Sequence, residues 1–175
     1  MARLSLASPI ESALANAPSF GLPDTFQQNT EGQQQPTFTP GNVPYQSEFN
    51  SASRKYGVPA NVLMALAQQE STFNPTALGQ PTKYGRAKGI MQYIDSTAAG
   101  MGINPYDPSQ AIDAAARQLR ERLDKGYSVQ EAVQAHFGGD DRAQWGPKTR
   151  AYGVEVLGKA QNFFDGAGAP ASQPQ

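Results

Sequence analysis

The stretch Val58-Pro59-Ala60-Asn61-Val62-Leu63-Met64-Ala65-Leu66-Ala67-Gln68-Gln69-Glu70-Ser71-Thr72-Phe73-Asn74-Pro75 decides the fold. Pro59 suits the first turn of a helix, where its missing N–H has no intrahelical partner. Leu63, Leu66 and Ala67 recur at i, i+3 and i+4 and make an apolar stripe. Glu70 is the i+7 position of that stripe. Asn74-Pro75 marks the exit, because a residue before proline is pushed away from helical geometry. A carboxyl that continues a buried face loses hydration, so its pKa rises and it stays protonated near neutral pH. That is what a general acid requires. The alternative is a helix-end glutamate that tips into solvent, the usual fate of helix carboxylates.

The rest of the chain limits the chemistry available. Its 175 residues suffice for one domain, and a hydrophobic content of 38% leaves part of the length unable to join a core. The formal net charge of -1 gives no reason to expect nucleic acid as a partner. With no cysteine and one histidine, disulfides, thiolate nucleophiles and His-rich metal sites are excluded. Neither a metal nor a cofactor is expected, and catalysis must rest on carboxyl, hydroxyl and amide groups. No stretch approaches the roughly 20 apolar residues that span a bilayer. The first residues, with Ser8, Pro9 and Glu11 breaking the apolar run, make a poor signal peptide.

Residues 1–43 are rich in Ser, Pro, Gln, Asn and Thr, and are expected to form a disordered arm, with a short helix at 10–17 possible within it. The same arm is a candidate docking segment that folds on a partner. Residues 44–164 are the expected domain, and 165–175 a flexible tail. Within the domain, Tyr45, Phe49, Ala52 and Tyr56 predict a first amphipathic helix ended by Gly57. Residues 75–92 lack periodicity and read as a long loop. A short helix follows, with Asp95 or Ser96 as its cap. Asp107-Pro108 opens a helix along Ile112, Ala115, Ala116, Leu119 and Leu123, with Arg117, Arg120, Glu121 and Arg122 on its solvated side. Ser128 and Glu131 form a capping box for the next helix, striped by Val129, Ala132, Val133 and His136. Pro147 starts a last helix with Gly153, Val156, Leu157, Ala160 and Phe164 on one side. No strand is predicted, so the fold class is all-α.

Four segments carry a resemblance. Tyr56 to Pro75 resembles the first motif of the soluble-lytic-transglycosylase-like branch of the lysozyme superfamily. Ala87-Lys88-Gly89-Ile90-Met91-Gln92 is similar to that family's Gly-Leu-Met-Gln segment. Ile103 to Pro108 with the helix after it looks like its third element, and Thr149-Arg150-Ala151-Tyr152 like its closing Thr-Arg-x-Tyr. Together they cover about residues 43–160 in the family's order.

The resemblance implies a lysozyme-like helical domain that cleaves the β-1,4 bond between N-acetylmuramic acid and N-acetylglucosamine in peptidoglycan glycan strands. It implies Glu70 as the one acid and base, leaving a 1,6-anhydro end, in contrast to the two-carboxylate scheme of most glycosidases. A hydrolytic lysozyme would need a second acid, for which Asp95 and Asp140 are the nearest candidates, though capping and loop roles explain both more simply. Gln92 is expected to bond sugar acetamido groups, and Met91 to wall the groove or pack in the core. Ser71 is a candidate partner of Glu70 or of its own backbone. Tyr93 and Trp145 are groove candidates or buried rings. Tyr152 is expected to line the site.

Two departures from the family stand out. His136 occupies the place of the family's tyrosine in Ala135-His136-Phe137-Gly138-Gly139, as a replacement donor or as a core histidine, and is expected to be neutral. Tyr84-Gly85-Arg86-Ala87-Lys88-Gly89 lacks the family's serine and adds positive charge that suits anionic groups. Absence of an export signal, with the His136–Gly139 and Trp145–Arg150 stretches, fits a phage virion component. The alternatives are a specialised secretion system, an inactive glycan-binding module, and a structural protein docked through residues 1–43.

Overall fold

Helix α2, Ala60–Ser71, is the axis of the domain: Val62 to Ala67 is buried without a break. A helix that is apolar all round must be covered all round. Here α1 (Gln46–Tyr56), α4 (Pro108–Asp124) and α6 (Pro147–Gln161) do so. Two more helices complete the domain: α3 (Asp95–Met101), and α5 (Val129–Gly138), which packs between α4 and α6. The computed structural model describes residues 43–163, and among these it holds six α-helices, one 3₁₀ turn (Arg142–Gln144) and no strand. The expected arm at 1–43, the short helix at 10–17, Phe164 and the tail fall, apart from Val43, outside the described residues.

The boundaries follow local chemistry. Gly57, with φ 64°, closes α1 by returning its N–H to the Ser53 carbonyl. Asp107 caps α4 through the Gln110 N–H, with Pro108 in the first turn. Both halves of the Ser128–Glu131 capping box are made. The predicted cap of α3 is different: Ile94 holds that position without a side-chain bond, and Asp95 is already helical. The Asp95 carboxylate takes the Lys88 ammonium instead, at 2.6 Å.

Two further expectations are corrected. The segment 75–92 is cross-linked by isolated backbone bridges, Leu78 with Lys88, Thr82 with Gly85, and Lys88 with Tyr93. Of its cations, Lys88 pairs with Asp95 of α3, while Arg86 donates its Nε–H to the neutral Gly79 carbonyl at 2.9 Å and keeps its charge. On α4, Arg122 does not face solvent. It is 7% exposed, donates to Asp140 at 2.8 Å and reaches the Ala132 carbonyl. The partner that makes its burial tolerable lies 18 residues on, beyond the reach of a helix-face argument.

One glycine is fixed by contact. Gly89, at φ 75°, lies so near the loop before α4 that a Cβ there would sit 1.7 Å from the Pro105 carbonyl oxygen. This presses the segment carrying Met91, Gln92 and Tyr93 onto the helical body.

Candidate active site

Glu70 lies in the last turn of α2, which ends through two left-handed residues, Thr72 (φ 53°) and Phe73 (φ 63°). The Thr72 and Phe73 N–H groups return to the Gln68 and Ala67 carbonyls, and the buried Phe73 ring packs edge-on against Phe49. Non-glycine residues hold this conformation only where packing imposes it. Glu70 is half-buried as a residue, yet packed protein encloses its carboxyl. The lost hydration raises its pKa to about 7, against the opposing pull of the Tyr152 hydroxyl and the Lys159 charge. No basic residue lies in the last turn of α2, so the negative end of the helix also disfavours the anion.

The Tyr152 hydroxyl, buried on α6, donates to Glu70 Oε1. A neutral carboxyl accepts on its carbonyl oxygen, so this bond leaves the acidic proton on Oε2. Burial and the neighbouring Glu70 charge hold the phenol well above its usual pKa, so it stays a donor. Tyr152 thus takes the donor role that the residue at position 136 had been a candidate for. His136 Nε2 is 3.2 Å from the Met91 carbonyl. A carbonyl only accepts, so Nε2 carries the proton. Burial lowers the imidazole pKa to about 4, followed by the repulsion of Arg122, so the ring is neutral as expected.

The remaining expected residues divide between wall and framework. Ser71 Oγ bonds the Ile90 carbonyl at 2.9 Å and the Ala67 carbonyl at 3.3 Å, and accepts from the Asn74 N–H. It ties the end of α2 to the Met91 segment, the backbone role rather than a bond to Glu70. Met91 is 0% exposed, and its side chain belongs to the core rather than to a groove surface. Gln92, itself left-handed at φ 50°, donates its amide to Gly89 O at 2.8 Å and braces the bend. Part of its side chain still reaches the adjoining cleft. Tyr93 lines the cleft by one edge only, with its hydroxyl on Gln118 Oε1 at 3.0 Å and its ring against His136. Trp145 is buried and donates to the Gly139 carbonyl.

The cleft, about 520 Å³, is walled by Gln92, Tyr93, Gln118, Arg122, His136 and Phe137, with Tyr84 and Asp140 at its sides. Phe137 is 46% exposed and stacks on the Tyr152 ring at 4.9 Å, so one wall residue of the cleft touches the tyrosine that bonds Glu70. Tyr84, 68% exposed, offers a second aromatic face. Sequence reasoning missed Phe137, Gln118 and Arg122. Phe137 alone had a signal: a large apolar residue between the helix stripe and the glycines that stop the helix. Asp95 and Asp140, the candidates for a second acid, are each paired with a cation.

Comparison with known proteins places this geometry. The profile of the Transglycosylase SLT domain matches residues 47–155, more than half of the chain. A protein of Enterobacteria phage PRD1 named Transglycosylase is 34% identical over 135 residues, 77% of this chain and 49% of that protein. Membrane-bound lytic murein transglycosylase F 2 of Alkalilimnicola ehrlichii is 38% identical over 82 residues, 46% of this chain and 17% of its own length. The chain thus spans about half or less of these relatives. The 70 kDa soluble lytic transglycosylase of Escherichia coli superposes with a TM-score of 0.58 at 21% identity, over 70% of this chain and 24% of that one, a likeness of fold. With its helical core, terminal-turn glutamate and matched sequence profile, the chain belongs to the Transglycosylase SLT domain family.

Proposed function

We propose that the protein is a peptidoglycan lytic transglycosylase with Glu70 as its single acid and base. The observation that carries this is the enclosed Glu70 carboxyl, held on one oxygen by Tyr152, with a pKa of about 7. A group so poised gives up and regains a proton near neutral pH. Glu70 Oε2 donates its proton to the glycosidic oxygen as the C1–O4 bond breaks, and positive charge develops at C1 of the muramic sugar. The 6-hydroxyl of that sugar then attacks C1. Its proton passes to the Glu70 carboxylate, closing the 1,6-anhydro ring and restoring the acid. No water is consumed. Phe137 and Tyr84 present aromatic faces suited to sugar rings, and Gln92 and Gln118 the amides suited to acetamido groups.

The relative from phage PRD1 supports a virion setting, in which the enzyme opens the wall locally during infection and residues 1–43 dock it to the particle. Export by a specialised secretion system is the alternative. No helix among the described residues is long and apolar enough to cross a membrane.

The test is mass spectrometry of muropeptides released from purified sacculi by the wild type and by Glu70→Gln. Anhydro products that disappear in the variant are expected. Reducing-end products would mean hydrolysis and turn attention to Asp140. No soluble product from folded wild type would favour a binding or structural role.

A further inference from the structure

On the flank of Glu70, α6 presents three side chains in helical register: Tyr152, Glu155 and Lys159. Residues 152 and 159 are seven apart and share one face of the helix. Tyr152 bonds Glu70, while Lys159 Nζ donates to Gln69 Oε1 at 2.6 Å and Gln69 Nε2 reaches Glu155 at 3.4 Å. The ammonium is thus fixed to the residue next to Glu70 rather than left free in solvent. We propose that Lys159 is a positioning residue of the reaction, its ammonium, anchored by Gln69, supplying the positive charge that stabilises the Glu70 carboxylate formed when the acid gives up its proton.

This rests on the transglycosylase reading for its place in catalysis, but the interaction exists without turnover. The groups that bear on Glu70 are Tyr152, which bonds it, and Lys159, both from α6; the Tyr93 hydroxyl, on the segment before α3, is turned to Gln118 but feels the Glu70 charge. Glu155 bears on both Tyr152 and Lys159. Of these, Lys159 alone brings positive charge. It is half-buried and loses hydration, which lowers its own pKa, while Glu155 and Glu70 favour its charged form. The anion that α2 disfavours at its negative end is therefore offset from a neighbouring helix. A single carboxyl that must serve as acid and then as base has to survive as an anion between the two steps, in a site with little water.

The experiment compares wild type, Lys159→Met and Lys159→Arg in two readouts. The first is the titration of the Glu70 carboxyl carbon by NMR in glutamate-labelled protein, assigned by the signal missing from Glu70→Gln. The second is the pH profile of release from sacculi. In Lys159→Met the Glu70 titration and the alkaline limb both move upward, and kcat and kcat/KM fall together by roughly tenfold with KM kept. Lys159→Arg keeps both near their wild-type positions. A folded Lys159→Met in which Glu70 titrates as in wild type overturns the proposal, as does an arginine variant that behaves like the methionine one. Loss of thermal stability alone would reduce Lys159 to a strut between α2 and α6. An inactive wild type whose Glu70 still titrates with the Lys159 dependence would sink the transglycosylase reading while the charge interaction stood.

Discussion

At the scale of the residue, Glu70 and Tyr152 act as a unit. Tyr152→Phe removes the one hydroxyl that favours the carboxylate, so the Glu70 pKa rises further and the alkaline limb of kcat/KM moves up. The same change frees Oε1 and lets the carboxyl rotate, so kcat is expected to fall by about 10²-fold. A pH profile of Tyr152→Phe on sacculi checks both directions at once. Glu70 was legible in sequence because a carboxylate at i+7 of an apolar stripe is an anomaly any helix model exposes. Tyr152 was found only through its motif, since its bond crosses 82 residues and no local pattern encodes that distance. Arg122 was misjudged for the same reason: a charge on a helix reads as solvated until a remote carboxylate is known to meet it.

Among the elements, the helices were the readable part and the segment 75–92 the unreadable one. Capping box, proline starts and glycine stops are local chemistry, and they set α1, α4, α5 and the start of α6 to within a residue or two, while the end of α6, with no such stop, falls at Gln161 rather than beyond Phe163. The segment between α2 and α3 is held by isolated backbone bridges, by Gln92 and Arg86 bonding to its own frame, and by Lys88 pairing with Asp95 of α3. Such bonds have no period. They also explain why residues that looked like ligands, Ser71 and Met91 among them, have framework positions. Gly89 is the test of this element. Gly89→Ala drives a Cβ into the Pro105 carbonyl at a positive φ, and neither backbone can yield cheaply. A loss of 3 kcal/mol or more on the order-of-magnitude scale is expected in urea unfolding. Activity should fall further than stability alone accounts for, because Tyr93 and Gln92 ride on the same strap.

Across the whole molecule, two buried titrations oppose one another. Glu70 has a folded pKa of about 7 against an ordinary 4.5, so the folded state holds its proton more tightly than the unfolded chain. Its stabilising effect is complete below about 4.5 and is lost as pH rises through 7. His136 has a folded pKa of about 4 against 6.5, so its contribution is complete above 6.5 and is lost as pH falls through 4. Between about pH 4.5 and 6.5 the two slopes are opposite and nearly equal, so together these groups leave stability almost level there, and removing either one exposes the slope of the other. Glu70→Gln, which cannot ionise, should stabilise the fold at pH 8 by on the order of 3 kcal/mol, with little effect near pH 4.5. Urea unfolding of the two proteins at both pH values decides this; an equal difference at each would mean that the carboxyl is not enclosed as described.

The Glu70 hydroxyl partner and the Gln69 ammonium partner both come from α6, while the glutamate itself comes from α2. During synthesis the N-terminal part of the chain is made first. A growing chain therefore carries its acid long before it carries the groups that tune it. Until α6 emerges and docks, Glu70 is an ordinary wet carboxylate at the end of an incomplete bundle. In the order of its own manufacture, the domain acquires its glutamate first and the groups that tune that glutamate afterwards.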